Sequence, residues 1–582
     1  MPMHSNLSMS LLLKYSKVFD DGDVRTPPEI LAPYGKTLTL KMIGVLNSML
    51  QRNINELPKQ LVSWFGAEGP QGTEMMSRIF NGYRDEINTG ITLQLVSHYT
   101  NLRMNVIAME LEDIDENTPI DVDDSQLSLF KAYLKLNEDF LLKQDGIVTT
   151  LAEDFTPLQR ATWLSVSSLI SYHDFSNIDQ VLGALQLIKA MYCLEFLEKY
   201  NPKLHQLYLD SKGVTDFKDY AKKMFPLTIL CFTPTVSING IDEENQKYLE
   251  LFNLQNGIPQ SEGNAIKFDF LAIRNMPLYR VGDNDYVILN RSMIISKLYS
   301  SVYWDCKAIL AANPDLNISQ DRFRMDFTTG FSEGYLVYKM FEKAYSKRNG
   351  INLSGEQMKA QMGHSEPDYY VRNGSKVFLI EVKDSFVTGK AKQSFNAKTI
   401  QEDLQKKYYK EGNSEKAVKQ LITRIRLSLT KSYPFDQNYN PKSLRFYPIL
   451  VVYDINLTVP GMESILNEWF YIEREALIAE MGQAGIKGFV INDLTILHID
   501  GLILVSEYIK VGKIKLEDII DKHLQRKRQL LKLSNGASLE EIKANVLNSY
   551  FSFNEFLLNY IDSIPPANRT MPSEFNIFSD EN

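Results

Sequence analysis

Three charged residues lie at the end of a predicted β-hairpin, with a spacing suited to phosphodiester chemistry. Asp368 follows a proline, an Asn373-Gly374 pair marks a tight turn, and Glu381 and Lys383 come after the turn. Because side chains alternate along a strand, Glu381 and Lys383 point the same way, and the other strand brings Asp368 alongside. Two carboxylates and one ammonium group at a strand end are what metal-assisted phosphodiester hydrolysis requires.

This pattern resembles the motif of the PD-(D/E)XK nuclease superfamily, which has the restriction-endonuclease-like fold. The matching residues are Pro367-Asp368 and, after a hairpin gap, Glu381-Val382-Lys383. The resemblance implies that Asp368, Glu381 and the Val382 carbonyl bind Mg²⁺, with Mn²⁺ as a substitute. It also implies that Lys383 orients the attacking water and stabilises the transition state. The alternative is an aspartate in a turn and a surface Glu-Lys pair on an edge strand.

The same resemblance gives a role to an acidic residue upstream. Apolar residues recur at helical spacing from Phe331 to Glu342, and we predict that Thr328, Thr329 or Ser332 caps this helix. Nucleases of the superfamily often carry a glutamate on the helix before the hairpin. Glu333 is the matching position, which implies that it holds a metal ion through water. The alternative is a first-turn acid favoured by the helix dipole.

A second amphipathic helix is predicted after the motif, from Ser414 to Ile425. Nucleases of this type often carry a glutamine or lysine on that helix, near the metal site. Gln420 is the best match, and Lys416 lies one turn earlier on the same face. The resemblance implies that Gln420 positions the nucleophile or a phosphate, and a solvated helix face is the alternative.

The segment that follows the motif is basic. From Asp384 to Lys431, eleven lysines and arginines stand against five acids, a net charge of +6. Such a stripe attracts nucleic-acid phosphates, and the interleaved Phe395, Tyr408 and Tyr409 are candidates to stack on bases. The candidate nucleic-acid-binding residues are Lys390, Lys392, Lys406, Lys407, Lys410 and Lys416. The alternative is a solvated helical hairpin.

A competing motif overlaps the first helix. The run from Gly330 to Gly334 satisfies G-x-S-x-G, the nucleophile elbow of α/β-hydrolases. That elbow requires a buried strand running into the turn. Here the preceding residues, 322–329, are half charged or polar, and although His364 and His498 follow, no clear Asp and His order completes a triad. The pattern therefore favours the nuclease over the hydrolase.

Composition sets the broad class of protein. At 582 residues the chain should hold more than one domain, and its 44% hydrophobic content is normal for a globular protein. Cys193, Cys231 and Cys306 are too widely spaced for a disulfide framework or a zinc site, which fits a reducing compartment. We find no cleavage-site pattern and no run of membrane-span length. We therefore expect a cytoplasmic protein without a membrane partner.

The order of predicted elements indicates an α/β restriction-endonuclease-like core, a mixed central sheet flanked by helices, preceded by a large, mainly helical N-terminal region. We place the N-terminal region at residues 1–315, with a β-hairpin near 278–289 and a role in regulation, sensing or dimerisation. The nuclease domain is predicted at 321–506, and a helical C-terminal extension at 507–582.

We therefore expect a Mg²⁺-dependent endonuclease that cleaves DNA, in bacterial antiviral defence or a mobile element. Two alternatives remain open, an RNA-directed nuclease of the same fold and a non-catalytic interaction module on a nuclease scaffold. The expected partner is nucleic acid, with duplex DNA favoured. A homodimer is also compatible with the sequence. So is a separate sensor or motor subunit, because no phosphate-binding loop or helicase motif is visible on this chain.

Overall fold

We describe the protein from a computed structural model. The structure describes residues 10–51, 56–66, 70–89, 91–115, 118–176, 180–233, 237–239, 243–254, 270–347, 350–363, 365–532, 545–546 and 548–578. Within these ranges the fold is mixed α/β, with many helices around one larger sheet. No helix of these ranges is long and apolar enough to cross a membrane.

The N-terminal region is mainly helical, as predicted. Its helices are Tyr15–Val18, Pro27–Leu31, Gly35–Gln51, Leu57–Phe65, Pro70–Gly82, Arg84–Asn88, His98–Glu110, Val122–Ile147, Pro157–Leu169, Gln180–Tyr200, Pro202–Lys212, Phe217–Phe232, Glu243–Glu250, Leu271–Asn275 and Arg291–Ala312. The predicted hairpin is formed by strands Leu278–Gly282 and Asp285–Ile288, and strand Ser237–Asn239 pairs with the second of them. Strands Ser10–Leu12 and Thr92–Gln94 form a separate parallel pair.

The central sheet has six strands and mixed topology. In spatial order they are Ile351–Ser354, Tyr369–Asn373, Lys376–Lys383 and Arg445–Val452, beyond which Val490–Ile491 and Thr495–His498 both pair with the last. We call Lys376–Lys383 the motif strand. It pairs antiparallel with Tyr369–Asn373, as the Asn-Gly turn predicts, and parallel with Arg445–Val452. The motif strand therefore lies inside the sheet rather than at its edge.

Helices cover both faces of this sheet. The remaining helices are Gln320–Asp326, the π-helix Phe327–Val337, Tyr338–Tyr345, Gly355–Met362, Gly389–Lys392, Ala397–Tyr408, Ala417–Leu429, Met462–Gln483, Ile499–Lys510, Leu516–Leu531 and Phe553–Asp562. Phe378 and Ile380 of the motif strand pack into one core, while Val377 and Leu379 pack into another, beneath Ala417–Leu429. Because both faces are buried, the strand is a continuous apolar run. We call Ala417–Leu429 the covering helix.

One hydrophobic core runs through all three predicted ranges of the chain. It contains Leu185 and Val302 from the N-terminal helices, Phe378 and Ile449 from the sheet, and Leu557 from the C-terminal extension. The predicted boundaries near residues 315 and 507 therefore do not separate independent cores.

The start of the helix before the hairpin differs from the prediction. Helical backbone begins at Gln320, where the Ser319 hydroxyl accepts a hydrogen bond from the Arg322 amide at 3.1 Å, and it continues into the π-helix. The Thr328 and Thr329 hydroxyls donate to carbonyls one turn earlier, at 3.1 and 2.8 Å, so they are interior residues rather than caps. The covering helix also begins later than predicted, after the short strand Ser414–Glu415.

Candidate active site

The hairpin register brings the charged motif residues together. Tyr369 is paired with Ile380, so extending the register by one residue places Asp368 opposite Glu381. The Asp368 Oδ2 atom accepts a hydrogen bond from the Val382 amide at 2.6 Å. The Lys383 ammonium group donates to Glu381 Oε1 at 2.7 Å. Two carboxylates and one ammonium group therefore meet where the two strands end.

Burial makes this group of charges strongly interdependent. The Glu381 side chain is only 2% exposed and that of Lys383 is 22% exposed. Burial raises the pKa of the Asp368 carboxyl well above its ordinary value, and the Glu381 carboxylate raises it further. Burial opposes the charge on Lys383, but Glu381 and Asp368 outweigh that effect and raise its pKa, so Lys383 stays protonated.

Glu333 of the π-helix belongs to the same cluster. Burial raises the pKa of Glu333, and the Glu381 carboxylate raises it further. A hydrogen bond that the Tyr338 hydroxyl donates at 3.1 Å partly opposes this rise. The Glu333 carboxylate also contributes to the raised pKa of Asp368. We call Glu333, Asp368 and Glu381 the acidic cluster. The helix before the hairpin thus carries Glu333 close to the motif, and its contact with a metal ion through water stays a prediction.

The π-helix is fixed on its other side by two short hydrogen bonds. The Ser332 hydroxyl donates to Asp384 Oδ2 at 2.6 Å, and the Tyr453 hydroxyl donates to the Ser332 carbonyl at 2.6 Å. Asp384 directly follows the motif strand, and Tyr453 directly follows Arg445–Val452. Ser332 therefore anchors the segment to two strand ends, and Glu333 beside it is positioned by that anchoring.

Four buried polar atoms, two near the motif strand and two on the covering helix above it, have no hydrogen-bond partner within the described part of the chain. They are Glu381 Oε2, Glu366 Oε2, Gln420 Oε1 and Arg424 Nε. Buried polar atoms are nearly always hydrogen-bonded. Unpaired atoms on acidic, basic and amide side chains therefore indicate a place where water, a metal ion or a ligand binds. Gln420 was expected from the sequence. Glu366 and Arg424 were not, although Glu366 lies two residues before Asp368.

The donor set fits a hard divalent cation with few protein ligands. Asp368 and Glu381 supply carboxylate oxygens, and Glu381 Oε2 has no partner among the described residues. Over those same residues, no group of three or more histidine, cysteine, aspartate or glutamate side chains is arranged to hold a metal ion. Mg²⁺ commonly uses one or two carboxylates and keeps several waters, so two carboxylates are sufficient. The Val382 carbonyl remains a predicted ligand.

The predicted basic stripe is only partly a free surface. Lys392 is buried and forms an ion pair with Asp174 at 3.0 Å, so its assignment to nucleic-acid binding is corrected. Phe395 and Tyr408 are also buried core residues and are not available to stack on bases. The long-range pairing of Lys392 with Asp174 has no signal in the local sequence, which is why the charge run was misleading there.

Of the other five candidate lysines of the stripe, three form ion pairs with acids among the described residues and two do not. Lys406 and Lys416 both form ion pairs with Glu411, at 3.2 and 3.1 Å, and Lys407 pairs with Asp403 at 2.8 Å. Lys390 and Lys410 are exposed, and no ion pair to either is found in the described ranges. The exposed pair retains its charge for a partner, whereas the others are partly neutralised.

The hydrolase alternative loses its structural context. The G-x-S-x-G run lies in the middle of the π-helix, with helix Gln320–Asp326 rather than a strand before it. Ser332 is fully buried and its hydroxyl donates to Asp384, so it is not presented as an exposed nucleophile. The nucleophile elbow needs a strand, a tight turn and an exposed serine. The motif match is therefore coincidental.

In comparisons with protein-family models, curated proteins and solved structures, no match to this chain was found. The features of this chain that point to a function are therefore the acidic cluster, Lys383 and the unpaired polar atoms of the hairpin and the covering helix.

Proposed function

We propose that the protein is a metal-dependent nuclease of the PD-(D/E)XK type that hydrolyses phosphodiester bonds of DNA. The observation that carries this proposal is the convergence of Asp368, Glu381 and Lys383 at the end of the hairpin, with Glu333 beside them. A mixed sheet covered on both faces by helices is the layering that this nuclease fold requires. Perturbed titration of buried acids in one cluster is typical of functional sites.

Asp368 and Glu381 would hold Mg²⁺ through carboxylate oxygens, and Glu333 would contact it through water. When bound, the cation lowers the pKa of a water molecule and neutralises charge on the scissile phosphate. Lys383 carries three donors, one of which is occupied by Glu381 Oε1. Its other two donors have no partner among the described residues, so they can orient the attacking water and stabilise negative charge on the phosphate in the transition state.

A plasmid-nicking assay with Mg²⁺ or EDTA tests this proposal. We expect nicking with Mg²⁺ or Mn²⁺, no nicking in EDTA, and no nicking by Asp368→Asn. Asp403→Asn is a matched control, because Asp403 pairs with Lys407 and is not part of the acidic cluster. Cleavage that persists in EDTA, or that Asp368→Asn retains, would overturn the proposal. Activity on RNA alone would change the substrate and keep the chemistry.

A further inference from the structure

Arg424 is the most unusual cation of the covering helix. Its Nε atom is buried and unpaired, and within the described ranges its guanidinium group forms no ion pair. Arg426, two residues later, donates to both Glu480 oxygens, from Nε at 3.0 and 3.2 Å and from Nη2 at 3.0 Å. At about 100° per residue the two arginines lie about 160° apart around the helix. The flank that carries Arg426 is thus neutralised, and the flank that carries Arg424 is not.

The covering helix packs over the hairpin that carries Asp368 and Glu381, and Arg424 is linked to that hairpin through Tyr433. The buried Tyr433 hydroxyl donates to the Arg424 carbonyl at 3.2 Å. The Tyr433 ring packs edge-on against Tyr370, two residues after Asp368, with ring centroids 5.8 Å apart. Burial raises the pKa of Tyr433, and Glu381 and Glu366 add to the rise while Arg424 opposes it. Gln420, one turn before Arg424 on the same flank, has a buried unpaired Oε1. The covering helix therefore presents an amide and a guanidinium group toward the site.

A partly buried guanidinium without a carboxylate is unfavourable in the free protein. Glu381 does not satisfy it, since one Glu381 oxygen pairs with Lys383 and the other has no partner of any kind among the described residues. A planar guanidinium matches a phosphate with two parallel hydrogen bonds, better than any other side chain does. A phosphate held by Arg424 would leave the Glu381 oxygen for a cation, which gives these two groups partners of opposite charge.

We propose that Arg424, with the Gln420 amide nitrogen as a second donor, binds a backbone phosphate of the nucleic-acid strand next to the phosphate that is cleaved. This inference rests on the proposed nuclease function, and it identifies the residue that sets the strand in place. Arg424 would act on substrate binding and alignment, while Asp368, Glu381 and Lys383 act on the bond that breaks.

The test compares Arg424→Gln with Arg426→Gln on a duplex DNA across a salt series, with Ca²⁺ replacing Mg²⁺ to suppress cleavage. We expect Arg424→Gln to weaken binding about tenfold or more and to reduce the salt slope by about one unit. Arg426→Gln should leave both close to the wild-type values, because its charge is already paired. Arg424→Lys should recover the salt slope and only part of the affinity, since it lacks the planar pair of donors.

Duplexes with one neutral methylphosphonate identify the phosphate. Next to the cleavage site, the substitution should weaken wild-type binding and leave Arg424→Gln unaffected. The thermal midpoint of Arg424→Gln should equal or exceed that of wild type, because the Arg424 side chain has no ion-pair partner among the described residues. An unchanged affinity and salt slope in Arg424→Gln would overturn the inference. So would a fall in its thermal midpoint large enough for unfolding of the variant to explain the weaker binding. If wild type binds the duplex and never cleaves it, the nuclease proposal fails, while the phosphate site is still decided by the salt slope.

Discussion

At the scale of single residues, the site is governed by how burial acts on opposite charges. Burial opposes ionisation of Asp368 and of Lys383 alike, yet the lysine stays charged because Glu381 and Asp368 surround it. The Asp368 carboxyl therefore has a raised pKa and keeps its proton up to a higher pH than an exposed aspartate does. A divalent cation would replace that proton, so metal binding and proton release are linked at this carboxyl.

Asp368→Asn should lower DNA cleavage by orders of magnitude, because it removes one of two carboxylate ligands while preserving the shape of the side chain. The hydrogen bond from the Val382 amide can be kept by the amide oxygen, so the hairpin should be retained. The measurement is single-turnover nicking with Mg²⁺, alongside the circular dichroism spectrum. A folded variant with wild-type cleavage would remove Asp368 from the site.

The same variant predicts a pH effect in EDTA. The raised pKa means that above pH 3.8 the folded protein keeps a proton that the unfolded chain has released. The Asp368 contribution to the free energy of unfolding therefore falls as pH rises from that value through the folded pKa. Asp368→Asn should lose this component, which thermal unfolding at a series of pH values measures. Identical pH profiles for both proteins would contradict the assigned protonation.

Lys383→Met should abolish cleavage without abolishing metal binding. The substitution removes the donor to Glu381 and keeps the unbranched stem, and it leaves both carboxylates in place. Isothermal titration with Ca²⁺ should show an affinity equal to or above that of wild type, because a competing positive charge has gone. Loss of Ca²⁺ binding would instead mean that Lys383 mainly holds Glu381 in position.

At the scale of elements, the sequence predicts well what local pattern dictates. The Asn373-Gly374 turn and the apolar run after it define the hairpin and its register, and so the meeting of Asp368 with Glu381. The π-helix was not predictable, because its anchor is the contact of Ser332 with Asp384, which comes 52 residues later in the chain. Burial of Lys392 was missed for the same reason, since its partner lies in another element.

Ser332→Ala tests the role of that anchor. The change leaves the buried Asp384 carboxyl without the hydroxyl donor, which should reduce the free energy of unfolding by about 1–3 kcal/mol. Cleavage should fall modestly, through a displaced Glu333, and should remain measurable. Urea unfolding and nicking assays check the two effects. Complete loss of cleavage in a fully folded Ser332→Ala protein would revive the serine as a catalytic group.

The basic stripe also gives a prediction about charge. Replacing Lys390 and Lys410 with alanine should reduce the salt slope of DNA binding by up to about two units, because both are exposed and unpaired among the described residues. Replacing Lys406 and Lys407 should change it less, since Glu411 and Asp403 already offset those charges. Equal effects of the two double variants would mean that the ion pairs open when nucleic acid binds.

At the scale of the whole molecule, the N-terminal helices are joined to the sheet by buried charge as well as by the shared core. Lys189, in helix Gln180–Tyr200, pairs with Asp500 at 2.7 Å, and each side chain is only 4% exposed. Gln186 donates to the other Asp500 oxygen at 3.0 Å. Asp500 begins the helix that follows strand Thr495–His498, so the N-terminal region contacts the same end of the sheet that carries the acidic cluster.

Lys189→Met should therefore destabilise the entire protein. Removing one member of a buried ion pair leaves the other charge uncompensated, which typically costs about 3–5 kcal/mol. Lys189→Met combined with Asp500→Asn should recover much of that loss, because the uncompensated charge is then absent. In urea, the far-ultraviolet circular dichroism signal and the DNA cleavage activity should disappear together in one transition. We expect this for wild type, for Lys189→Met and for the double variant, because one core includes residues of all three predicted ranges of the chain. Two separated transitions, with cleavage surviving the first, would show that the N-terminal region folds independently of the catalytic sheet.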